Sequence, residues 1–205
     1  PAQPQSYDLI IRGGRGVVGA GNGGFRGEGR IQGDTNAAGG RLGAAMARRG
    51  IEARDADVAR GVIYEHVPVR RKSVGEKKAE NYIRQGVTTA IEGPDGSSPL
   101  PLKPFFGQLT RARIAINMGA LVGQGTIRER VIGLVNRRAT PDEIEKMKEL
   151  VKQAMEDGAL GLSTGLFYVP GNYTPTEEVI ELAKVAGRMG GIHTSHMRDE
   201  AAGGA

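Results

Sequence analysis

The 205 residues contain no cysteine, which excludes disulfides and thiolate metal sites and leaves His, Asp and Glu as the transition-metal ligands to consider. Tryptophan is also missing, and aromatics make up only 4% of the chain, so stacking platforms for nucleic-acid bases are scarce. No apolar run approaches the roughly 18 residues of a membrane span, and no charged-then-apolar leader opens the sequence, so no membrane attachment is expected. The first residue is Pro1 rather than Met, so the compartment stays open: cytoplasmic by default, exported if a leader preceded Pro1.

What is present is 39% apolar content, enough for a substantial core, and a net charge of +5. The excess is N-terminal, with 12 Lys plus Arg against 7 acids in residues 1–75 and 16 of each in 76–205. Those arginines are scattered among Gly and Ala rather than clustered, so a nucleic-acid partner is not expected; one would show as affinity falling steeply with salt.

Residues 7–12 (YDLIIR) read as a strand, Gly13-Gly14 as a turn and 16–18 as a weak second strand, together a hairpin. From 19 to 50 neither period 2 nor period 3.6 persists, and a loosely ordered stretch is expected. Residues 19–24 spell GAGNGG, the dinucleotide fingerprint, but FRGEGRI follows where a helix N-terminus would be needed, so the reading is a glycine-rich turn. Residues 70–80 (RRKSVGEKKAE) read as a charged, solvated connector.

Beyond residue 80, short β-branched runs alternate with amphipathic stretches, as in parallel βα units. Strands are expected at 86–92, 113–118, 159–163 and 191–195. One helix opens at Thr140-Pro141-Asp142-Glu143, a capping box with proline at its first position, carries Ile144, Met147, Val151, Ala154 and Met155 on one side, and stops at Asp157-Gly158. A second is expected after Thr174-Pro175-Thr176-Glu177, with Val179, Ile180, Ala183 and Ala186 facing a core and Gly190-Gly191 ending it.

A cysteine-free metal site has to draw on His66, His193 and His196. Period 2 puts His193 and His196 on opposite faces of one strand, so only one of them can face a site at its C-terminal end, and Met197-Arg198-Asp199-Glu200 brings three charges directly after it. Asp95, in Gly93-Pro94-Asp95-Gly96, is spelled like a plain β-turn, yet it too falls at a strand's C-terminal end.

Several spellings closely resemble the N-acyl-D-amino-acid deacylases (D-aminoacylases) of the amidohydrolase superfamily: NYIRQGVTTA (81–90), GQGTIRER (123–130), ALGLSTGLFYVP (159–170) and TSHMRDE (194–200), with YDLIIRGG at 7–14 like the start of these enzymes. The likeness is strong from about residue 79 and weak through the Gly/Arg-rich stretch. It implies an α/β fold, part of a metal-dependent-hydrolase (β/α) barrel over residues 61–205, with a small N-terminal β-sandwich portion over 1–60. It also implies zinc, and hydrolysis of a small N-acyl amino acid to a carboxylate and a free D-amino acid. The family's HxH pair falls on GVIYEHVP (61–68), where His66 matches the first histidine and Pro68 replaces the second. Asp95 matches a metal-bridging position, a cysteine in some members; His196 matches a strand-end zinc ligand, and Tyr168 a tyrosine of the substrate pocket. A further histidine ligand and a proton-handling aspartate are implied beyond Glu200, and the sequence stops at Ala205. The expectation is therefore about half of a barrel of 200–250 residues, with no residue matched to proton transfer. The alternative is a truncated or degenerate, non-catalytic relative.

Overall fold

The computed structural model describes residues 6–40, 45–67, 78–199 and 201, with the backbone alone for His66 and Val67. Arg70–Lys77 of the charged connector, Pro68 and Glu200 lie outside the described residues. The chain divides into two compact units, Pro1–Gly61 and Val62–Ala205.

The first unit is one five-stranded sheet. Strand β1 (Ser6–Val17) is its centre, pairing antiparallel with β2 (Phe25–Gln32) and parallel with β4 (Met46–Glu52) and β5 (Asp57–Ala59), while β3 (Thr35–Gly40) extends the sheet beyond β2. This corrects two expectations. The Gly13-Gly14 hairpin is instead a register irregularity within one long strand, between Ile11 and Gly14. Gly13 takes φ +76, and a Cβ on Gly14 would lie 2.6 Å from Val58 Cγ2, so these glycines permit a bulge and a close approach rather than a reversal. The stretch expected to be loosely ordered contains β2, β3 and β4, whose order comes from main-chain pairing to β1 rather than from side-chain periodicity. GAGNGG is a turn between antiparallel strands, followed by a strand.

In the second unit β6 (Val62–Val67), β7 (Val87–Glu92) and β8 (Asn117–Ala120) form one parallel sheet, and β9 (Val122–Gly123), β10 (Gly161–Gly165) and β11 (Ile192–His196) another. Leu121 links the two: it separates β8 from β9, and its N–H donates to Glu92 O at 2.8 Å. Helices α1 (Glu80–Ile83), α2 (Leu102–Ala112), α3 (Gln124–Ile132), α4 (Pro141–Glu156) and α5 (Thr176–Arg188) complete the unit. The core packs Leu102, Phe105 and Leu109 of α2, Met147, Val151 and Ala154 of α4, and Leu182 and Ala186 of α5 with Ala120, Val122 and Leu162 of the strands. Among the described residues no helix is long and apolar enough to cross a membrane.

Two boundaries move. The expected strand at 113–118 begins at Asn117, because α2 runs to Ala112 and Arg113 caps it in the left-handed conformation. Thr174 does not cap α5; its side chain is buried and hydrogen-bonded to Gln124, so the turn of α5 toward the core is set by Glu178, Leu182 and Ala186, and Ile180 is exposed.

The capping box of α4 is present in both halves: Glu143 N–H donates to Thr140 Oγ1 at 3.3 Å, and Thr140 N–H to Glu143 Oε2 at 2.8 Å. Arg137 also grips both Glu143 oxygens, at 2.7 and 2.6 Å. The Arg137 hydrogen bonds first, then that of the Thr140 amide, hold the Glu143 carboxyl down at about 2. The folded state therefore binds this proton less readily than the unfolded chain, so the resulting stability is present above pH 4.5 and lost as pH falls toward 2. Acid-unfolding midpoints of the parent and Glu143→Gln should show a shallower loss between pH 4.5 and 2 in the variant; identical profiles would refute this role.

Candidate functional site

Along β10, Leu162 and Thr164 face the helical layer while Ser163 turns the other way, and Leu162 is wholly buried in the core. The same alternation in β11 pairs His193 with Leu162 and Ser195 with Thr164, leaving Ile192, Thr194 and His196 on the opposite face. That second face lines a cavity of about 770 Å³ that runs along the strands and reaches their C-terminal ends at Asp95 and His196. Its apolar wall includes Ile63, Ile91, Leu121, Leu160 and Ile192, and its polar groups include Glu65, Asp95, Tyr168 and His196.

Asp95 and His196, from the ends of β7 and β11, thus meet at one cavity, and Tyr168 stands beside them. The His196 ring is edge-on to Tyr168, with centroids 4.9 Å apart, and stacks on Phe167 at 5.9 Å. His196 Nδ1 lies 3.1 Å from Met197 O. His193 faces away and sits 3.1 Å from Thr164 Oγ1 through Nε2; partial burial pushes its pKa below the ordinary histidine value. His66 lies on β6 with only its backbone described. Among the described residues no three His, Cys, Asp or Glu side chains gather into a ready cation site.

The loop carrying Asp95 is held more tightly than an ordinary turn. Gly96 N–H donates to Ser163 Oγ at 3.1 Å, and Gly96 O accepts from Thr126 N–H at 3.2 Å. Ser98 N–H donates to Thr126 Oγ1 at 3.0 Å, and Gly123 N–H to Ser98 Oγ at 2.9 Å. Glycine makes these contacts possible: a Cβ on Gly165 would lie 1.9 Å from Asp95 O, and one on Gly123 would lie 2.4 Å from Gly96 O.

On the far side of Tyr168, Arg198 donates to Asn172 O at 3.1 Å and Thr174 O at 2.9 Å, tying the segment after β11 to the 3₁₀ turn Gly171–Tyr173. Beneath that turn lies a buried polar cluster. Gln124 Nε2 donates to Thr174 Oγ1 at 2.9 Å and Glu178 Oε1 at 3.0 Å; Arg128 donates to Glu178 Oε2 and Arg137 O, both at 2.5 Å.

Glu65, Thr194, Arg198 and the Gln124–Arg128–Glu178 cluster were not among the sequence candidates. Period 2 on β11 would have given Thr194 along with His196, and Arg198 lay in plain view within MRDE. Nothing in the spelling of GTIRER marks Arg128 as buried.

The second unit is thus a parallel α/β arrangement whose strand ends bring a carboxylate, an imidazole and a tyrosine to one cavity. The chain is similar to D-aminoacylases: it is 32% identical over 96% of its length to the D-aminoacylase of Alcaligenes xylosoxydans xylosoxydans and 33% identical over 96% to the N-acyl-D-glutamate deacylase of the same organism. It spans 45% of the length of each of these curated relatives. In backbone it matches a solved D-aminoacylase, in a study of its binuclear metal centre, with TM-score 0.85 and 33% identity over 95% of this chain and 46% of that one. It also matches N-acyl-D-glutamate deacylase from Bordetella bronchiseptica, complexed with zinc and a phosphonate inhibitor, with TM-score 0.82 and 32% identity over 97% of this chain and 47% of that one. No family profile matches the chain.

Proposed function

We propose that this chain supplies zinc-holding strand ends of a (β/α)-barrel hydrolase that cleaves the acyl amide of small N-acyl-D-amino acids. The observation that carries the reading is the meeting of Asp95 and His196 at one cavity with Tyr168 against the imidazole. Their donor chemistry fits zinc, which takes imidazole nitrogen and carboxylate oxygen, and Glu65 adds a carboxylate on the same cavity wall. Asp95 and His196 would hold the ion, with His66 of β6 as a third ligand. The relatives' substrates, and the zinc and phosphonate bound by the Bordetella deacylase, support the same choice.

A zinc ion held there would supply Lewis-acid activation of water and of an amide carbonyl. The chain's own residues shape the place where it would sit. Phe167 and Tyr168 confine the His196 ring, and the Gly96–Gly165 contact fixes where Asp95 stands. The apolar wall of Ile63, Ile91, Leu121, Leu160 and Ile192 suits an acyl chain, while Tyr168 offers a hydroxyl to the polar end of a substrate. We assign proton transfer to none of the described residues.

A second reading is favoured by Pro68, which has no metal-binding side chain where the family carries its second strand-1 histidine: a degenerate member that does not catalyse. Elemental analysis separates the two. The full chain should carry near-stoichiometric zinc that disappears in Asp95→Ala/His196→Ala. Zinc in neither protein would overturn the hydrolase reading and leave the degenerate one.

A further inference from the structure

The helix-facing side of β10 and β11 carries a directed run of hydrogen bonds that ends on the backbone of His196. His193 Nε2 lies 3.1 Å from Thr164 Oγ1; Thr164 Oγ1 donates to Ser195 Oγ at 2.8 Å; Ser195 Oγ donates to His196 O at 3.1 Å. The directions are mutually consistent. With Thr164 donating to Ser195, its lone pairs are left to accept, so His193 enters as the Nε2–H tautomer and as a donor. The alternative acceptor for Thr164, Thr194 O, is distant at 3.5 Å. His196 O also accepts from Leu166 N–H at 3.2 Å, so two donors from different elements hold one carbonyl. Thr164 is wholly buried, and an unbonded hydroxyl there would be costly.

We infer that Thr164 and Ser195 are positioning residues for His196: the hydroxyl chain from His193 fixes the last peptide of β11 and hence the direction in which the imidazole enters the cavity. The inference rests on the zinc reading of that cavity for its functional consequence, and on the geometry of β10 and β11 for the positioning itself. The partial burial that favours the uncharged form of His193 agrees with its single-donor role. Partners outside the ligand set orient metal ligands in this way, and their loss commonly weakens metal binding by about 10- to 100-fold.

Thr164→Val keeps the shape and removes the hydroxyl, Thr164→Ser restores it, and Ser195→Ala breaks the next link at an exposed side chain whose truncation the fold should tolerate. Two measurements on the full chain decide the matter: zinc affinity by titration with the metal alone, and the ¹H–¹⁵N spectrum and relaxation of the His196 imidazole without metal. Thr164→Val and Ser195→Ala should each weaken zinc binding roughly tenfold and mobilise the His196 ring. Thr164→Ser should restore both. Lower stability with an unchanged His196 ring in both variants would overturn the inference and mark Thr164 as merely structural. If the parent binds no zinc the hydrolase reading fails, while the ring measurement still decides whether the chain of hydroxyls positions His196.

Discussion

Arg128→Met is expected to cost about 3–5 kcal/mol, read as a lower urea midpoint, because it leaves a carboxylate inside the protein without its counter-charge. The Arg128 and Glu178 side chains are 0% and 1% exposed, so water cannot take over when the guanidinium is removed. A loss of that size is a large share of the 5–15 kcal/mol typical of a domain, and a substantial unfolded population at 37 °C should follow. Gln124, one helical turn before Arg128 on α3, still donates to Glu178 Oε1, but a single amide N–H does not replace a guanidinium at 2.5 Å from Oε2. Adding Glu178→Gln should recover part of the loss, since a neutral amide costs less to bury than a charge. Arg137 O would stay without its donor in both variants, so recovery should be incomplete. If Arg128→Met stays within about 1 kcal/mol of the parent, the pair does not hold α3 to α5.

That pair also shows where sequence reasoning stops. Within GTIRER, Arg128 lies among charges and reads as a solvated helix face; only the approach of α5, whose Glu178 turns inward, makes it interior. α4 was legible because its signal is local: Thr140, Pro141 and Glu143 form the cap wherever the helix packs. The split between His193 and His196 was legible for a similar reason, since three residues along a strand always reverse the face. β2 to β4 were not, because their glycines and arginines carry little periodicity and it is pairing with β1 that orders them. α2 was hidden by its prolines, although Pro101 and Pro104 stand at the helix N-terminus, where a missing N–H costs little. Asp95 was half legible. Its spelling announces a turn, and what distinguishes that turn is packing against β10, more than 60 residues further along.

Gly165→Ala tests that packing directly and is expected to have the second large effect. The added methyl would sit 1.9 Å from Asp95 O and 2.8 Å from its carbonyl carbon, and both are backbone atoms that cannot rotate aside. Nor can the loop easily withdraw: Gly96 presses on Gly165 N, where its own Cβ would come within 2.3 Å, and Ser163 and Thr126 pin it by hydrogen bonds. Either the end of β10 or the Asp95 loop must move. Overpacking of this kind costs about 1–3 kcal/mol, toward the upper end where backbone meets backbone. On the zinc reading, the displaced carboxylate should also cost the chain its metal. Gly187→Ala is the control: it lies in α5, where the added methyl would meet nothing within 4 Å beyond the helix's own neighbouring backbone, and it should stabilise by about 0.5–1 kcal/mol. A fall in midpoint and zinc content for Gly165→Ala beside a rise in midpoint for Gly187→Ala would place the Asp95 loop firmly against β10. Parent-like midpoint and zinc content in Gly165→Ala would mean that the loop is held apart from β10 and that Asp95 owes its position to something else.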